Sequence, residues 1–154
     1  MSLEFRKVVA VIDVDDQLAP HVLEAAVSLA GTTAALHAID SNPFITTFES
    51  PYAAGALEAD AAAHKADADR RRDALKAMID AAGVTAELAI LEVNPSRDAA
   101  SYAKKIGADL IVIGSHQKGW LKRILEGSES ADMIREAPCA VFVVTQAHVD
   151  RKTR

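Results

Sequence analysis

Leu110-Ile111-Val112-Ile113 is a short apolar run closed by Gly114, and it narrows sharply what the chain can fold into. Runs of this length without polar alternation suit strands buried on both faces, as in parallel sheets. A polar loop follows, then Gly127-Ser128, then a helical pattern with Met133, Ile134 and Ala137 on one face. Pro138 stops that helix, because the residue before a proline is pushed out of the α region. Cys139 to Val144 is a second apolar, β-branched run. From Ala108 to Thr145 the chain therefore reads strand, long loop, helix, strand. Ligands of such βαβ units bind beyond the carboxyl ends of the strands. The glycine-punctuated loop is where function is to be sought.

The rest of the chain repeats this alternation. Lys7 to Ile12 is a continuous apolar run ended by Asp13, and reads as a central strand. Asp15 or Asp16 can cap the next helix, with Pro20 in its first turn, where a missing N–H costs nothing. Val22, Ala25, Ala26 and Leu29 form its buried stripe and Gly31 ends it. Ala34 to Ile39 is a second strand with Asp40 at its tip. Residues 41 to 55 carry Pro43, Pro51 and aperiodic aromatics, a loop long enough to suggest function or mobility. A charge-rich helix runs from Leu57 to Ala82, facing inward with Leu75, Met78, Ile79 and Ala82, and Gly83 stops it. Val84 to Val93 is interrupted by Glu87 and Glu92 and fits a sheet edge, where charge discourages stray pairing. Asn94-Pro95-Ser96 opens a helix with Ala99, Ala100, Ala103 and Ile106 inward and Gly107 at its end. Five strands alternating with four helices, joined by right-handed crossovers, give a doubly wound parallel sheet with helices on both faces.

Length and composition exclude several classes. A chain of 154 residues fits one domain with a real core. No stretch approaches the ~20 apolar residues of a membrane span, and the N-terminus lacks the apolar region of a signal peptide. A net charge of −5 argues against nucleic acid, which needs clustered cations. The single cysteine, Cys139, leaves no internal disulfide and suits a reducing cytoplasm; in an apolar strand it reads as a packed small residue. The domain is expected to span residues 4–146, with 147–154 as a flexible basic tail.

The order of these signals, with GADLIVIGSH, LKRILEGS and REAPCAVFVV, resembles the universal stress protein family over nearly the whole chain. The resemblance implies an adenine-nucleotide-hydrolase-like fold: three layers around an open, mostly parallel five-stranded sheet of order 3-2-1-4-5. Many members bind ATP through a glycine, two residues, a second glycine, nine residues, then glycine and serine or threonine. Here Gly114 and Gly127-Ser128 hold the outer places, and Gln117 replaces the second glycine. Asp13 matches the aspartate that contacts the nucleoside at the end of the first strand. Val14 and Asp15 stand where glycine and serine usually follow it. Ala38 matches a second-strand position whose backbone commonly reads the adenine edge, and His37 before it also follows the pattern. His116, beside Gln117, completes the candidate site.

Phosphate suits such a loop for physical reasons. Glycines let backbone N–H groups converge on phosphate oxygens, and Gly127-Ser128 at a helix start adds orphan N–H groups and the positive end of the dipole. The plainer alternative is that Gly114 ends a strand, Gly127 makes a turn and Ser128 caps a helix. Glu126 and Glu129 flank the proposed phosphate place and oppose it by like charge, whereas Lys118, Lys122 and Arg123 offset them. His116 has no partner at metal-ligand spacing, and no residue is placed as a dedicated base, so at most slow hydrolysis is expected. Two functions compete: a stress-responsive module binding ATP, with or without magnesium, and a nucleotide-free dimeric regulator of the same fold. In either, the uncharged last strand, Ala140 to Val144, is expected to pair with a second copy to form a homodimer.

Overall fold

The computed structural model describes residues 4–40, 57–90, 95–115 and 138–153. The expected loop from 41 to 55, and the loop and helix between residues 116 and 137, lie outside the described residues. So do His116, Gln117, Gly127 and Ser128.

Chain order is β1 (Lys7–Ile12), α1 (Ala19–Ala30), β2 (Ala35–Asp40), α2 (Leu57–Ala82), β3 (Ala86–Ile90), α3 (Pro95–Ile106), β4 (Leu110–Gly114), β5 (Ala140–Val144) and α4 (Gln146–Lys152). The five strands form one sheet in the order β3-β2-β1-β4-β5, and each pairing is parallel. The apolar runs of β1 and β4 take its middle because both their faces are covered. Val8, Ala10, Ile12, Leu110 and Val112 pack against α1, Leu75 and Ile79 of α2, and Val149 of α4. Val9, Val11, Ile111 and Ile113 face the opposite way, onto Ala99 and Ala103 of α3. Alternation along each strand thus feeds two cores, one on each side of the sheet.

Local signals act mostly as the sequence suggests. Pro20 sits in the first turn of α1. Asp16 does not occupy the cap position; its Oδ1 accepts the Leu18 N–H at 2.8 Å, one turn ahead of the helix. Gly83 and Gly107 end α2 and α3 with φ of 67° and 66°, a region that penalises a side chain. Leu75 and Ile79 are buried, but Ala82, expected to face inward, is exposed in the last turn of α2.

The tail expected from residue 147 is instead helical in the structure. Thr145 caps α4, accepting the His148 N–H at 3.3 Å, and Val149 is 7% exposed. Seven polar or charged residues among the last nine hide the one apolar side chain that docks the helix. Cys139 lies in a bend just before β5, half-buried, and packs against the α3-side core. Burial, then the nearby Asp109 charge, pushes its thiol up, which makes it a poor nucleophile.

Candidate functional site

Three strand ends meet at the carboxyl edge of the sheet. Ile12 closes β1 opposite Asp40, the last residue of β2, and Asp13 follows Ile12 directly. Gly114 ends β4, one residue beyond Ile113, whose partner is Val11. Asp13, Asp40 and Gly114 therefore gather where a parallel sheet runs out of pairing partners and leaves a crevice.

A residue that the sequence reading passed over holds this edge together. Arg71, from α2, is 1% exposed. Its Nε and Nη2 grip Asp40, at 3.0 Å to Oδ2 and 2.9 Å to Oδ1. Nη1 reaches Asp15 Oδ2 at 2.8 Å and Nη2 also reaches Asp13 Oδ1 at 3.0 Å. Only a guanidinium fork can serve three carboxylates from one buried point. Burial raises the Asp40 carboxyl above its ordinary value, against the hydrogen bonds and charge of Arg71. Beside it, Arg70 bonds Asp15 at 3.0 and 2.9 Å and Asp67 at 2.8 Å. The Arg70 hydrogen bonds hold the Asp15 carboxyl below its ordinary value. The Arg70 pairs are solvent-exposed and contribute little stability. The signal for Arg71 was present: it stands four residues before Leu75 and eight before Ile79, on the buried stripe of α2.

Asp13 is only partly spent. Its Oδ1 takes Arg71 and the Asp15 N–H, the latter at 3.1 Å. Among the described residues no donor reaches Oδ2, and 25% of the side chain is exposed. Gly114 has a packing role: a Cβ there would lie 3.3 Å from Val22 Cγ2 and 3.4 Å from Leu18 Cβ. Its φ is not positive, so the close approach of α1, rather than a special backbone conformation, calls for glycine. Ala38 is fully buried, paired with Ala10 and Leu88, two residues short of the edge where Asp13 and Asp40 meet. His37 faces the α3 side of the sheet: its Nδ1 lies 2.9 Å from the Tyr102 hydroxyl and 3.6 Å from Glu87. It ties α3 to the sheet, away from the crevice. Among the described residues no three His, Cys, Asp or Glu side chains form a metal-holding group.

The profile of the universal stress protein family matches residues 4–145. That span covers nearly the whole chain, the five described strands and all of both cores except Val149. The chain belongs to the universal stress protein family. A universal stress protein of Methanocaldococcus jannaschii is 31% identical over 132 residues, covering 86% of this chain and 75% of that one. Among solved structures, a universal stress protein in complex with cAMP is 22% identical, with a TM-score of 0.54, covering 92% and 98% of the two chains. A universal stress protein family protein of Arabidopsis thaliana with AMP bound is 18% identical, with a TM-score of 0.57, covering 91% of each. At these identities the two structures speak for the fold: the sheet of order 3-2-1-4-5 with helices on both faces is the adenine-nucleotide-hydrolase-like arrangement.

Proposed function

We propose that this universal stress protein binds an adenine nucleotide, ATP or a relative, with or without magnesium, as a stress-responsive regulatory module of the cytoplasm. The observation that carries the reading is Asp13: a carboxylate at the carboxyl end of β1, held on one oxygen and, among the described residues, without a donor on the other. Such an oxygen fits a hydroxyl of a nucleoside. The AMP and cAMP held by family relatives support the same chemistry. Charge supports an orientation. Among the described residues Asp13, Asp15, Asp40 and Asp67 outnumber Arg70 and Arg71 around the β1 and β2 ends, a balance that disfavours phosphate there. The neutral nucleoside belongs on that side, near Asp13 and Ala38. The phosphates belong with the loop motif of Gly114, His116, Gln117, Gly127 and Ser128 that the sequence carries. No residue is assigned to activate water, so binding and not dedicated catalysis is the proposal.

A second reading, a nucleotide-free dimeric regulator, draws on Arg71 itself. Its fork satisfies Asp15 and Asp40 without a ligand, and the packing of Leu18 and Val22 accounts for Gly114. Thermal melts with and without ATP, AMP and magnesium separate the two. A ligand at 100 times its Kd adds ~2.7 kcal/mol of stability; the expected result is a shift in the parent and none in Gly127→Glu, which adds a carboxylate to the phosphate place. Melts indifferent to every nucleotide would leave the second reading standing.

A further inference from the structure

We infer that Arg71 is a positioning residue that makes Asp13 a reader of ribose hydroxyls, so that the site selects ribonucleotides over their dideoxy analogues. The inference rests on the nucleotide reading above. The two donors that reach Asp13 from the described residues, the Arg71 Nη2 at 3.0 Å and the Asp15 N–H at 3.1 Å, fall on the same oxygen, Oδ1. The carboxylate is thereby fixed in one orientation, with Oδ2 left over among the described residues. An ionised carboxylate only accepts, so that oxygen recognises O–H or N–H and gives nothing to a ligand position that carries C–H.

Arg71 does not reach the ligand itself, being 1% exposed. It acts through geometry: Nη2 bridges Asp13 Oδ1 and Asp40 Oδ1, at 3.0 and 2.9 Å, and so fixes the end of β1 relative to β2 and to α2. An acceptor held before binding loses less rotamer freedom when the ligand arrives. Lysine at this place would keep the charge and lose the fork, because a point charge cannot serve Asp13, Asp15 and Asp40 with fixed directions.

Calorimetric titration of ATP and of 2′,3′-dideoxy-ATP tests this with three proteins: the parent, Arg71→Lys, and Arg71→Met combined with Asp40→Leu. The double variant removes a buried charge together with its main partner, which a folded core tolerates far better than removal of one alone. The parent should prefer ATP by about tenfold or more, the size of a hydrogen bond to a charged acceptor. Both variants should bind the two ligands within about twofold of each other, at the affinity the parent shows for the dideoxy form. A folded variant that keeps the parent's preference would overturn the role of Arg71, and a parent without preference would overturn the role of Asp13. Either result leaves nucleotide binding intact. A parent that binds neither ligand sinks the nucleotide reading and this inference with it.

Discussion

Single side chains stitch the amino edge of the sheet as Arg71 stitches the carboxyl edge. Asp109, just before β4, accepts the N–H groups of Arg6 and Lys7 on one oxygen at 2.8 and 2.9 Å. Its own N–H bonds Lys7 O at 2.9 Å, and its carbonyl takes the Ala140 N–H at 3.3 Å. One residue thus ties the starts of β1, β4 and β5. The backbone N–H bonds from Lys7 and then Arg6 hold its carboxyl below the ordinary value. An acid depressed in the folded state contributes stability that is complete above the unfolded pKa, about 3.9, and disappears as pH falls through the folded value. Asp109→Asn should therefore lower the urea midpoint at neutral pH, and the gap to the parent should narrow below about pH 4. The side chain is exposed, so the gap should be small. A gap that stays constant from pH 7 to pH 3 would show that ionisation of Asp109 contributes nothing.

At the scale of elements, the decisive contact is α1 on the end of β4. Leu18 and Val22 press onto Gly114 closely enough that an added methyl would meet Val22 at 3.3 Å. Gly114→Ala should destabilise the fold by about 1–3 kcal/mol through overpacking; the measurement is the denaturation midpoint at unchanged slope. An unchanged midpoint would mean that α1 yields freely, and glycine would then need another explanation. This contact marks how far the sequence could be read. That LIVIG is a central strand follows from its unbroken apolar run, and the periodic helices α1 and α3 follow from their alanine stripes. Which face of Gly114 matters, phosphate or α1, does not follow, because both uses ask for the same missing side chain. Arg71 escaped for a related reason: in a run of three arginines, charge reads as surface, and only the spacing to Leu75 and Ile79 betrays the buried one. Asp13 and Asp40 were legible as strand tips, since an apolar run ended by aspartate exposes its end. Their joint capture by one guanidinium depends on tertiary distance, which no local pattern records. The short helix α4 depends likewise on a single buried side chain, Val149.

For the whole molecule, the remaining question is what meets the free side of β5. The sheet order leaves β5 at an edge, paired with β4 alone among the described residues. Its five residues, Ala140 to Val144, carry neither charge nor proline, the usual protections of an edge. Helix α4 shields the neighbouring face in part: Lys152 lies 3.8 Å from Glu24 of α1. A groove of about 220 Å³ persists there, lined among others by His21, Glu24, Phe142 and His148. Phe142 is 44% exposed, a large apolar side chain on an open strand. We propose that a second copy covers it, β5 against β5 antiparallel about a two-fold axis, which brings the two Phe142 side chains onto one face as cross-strand neighbours. Val143 is the wrong place to test this, since it is half-buried against the α3-side core and a charge there would disturb the fold itself. Phe142→Lys changes an exposed position and puts like charges near the axis. The parent should sediment as a dimer at micromolar concentration, and the variant as a folded monomer with an unchanged circular dichroism spectrum. A monomeric parent, or a variant as dimeric as the parent, would mean that the last strand is not where two copies meet.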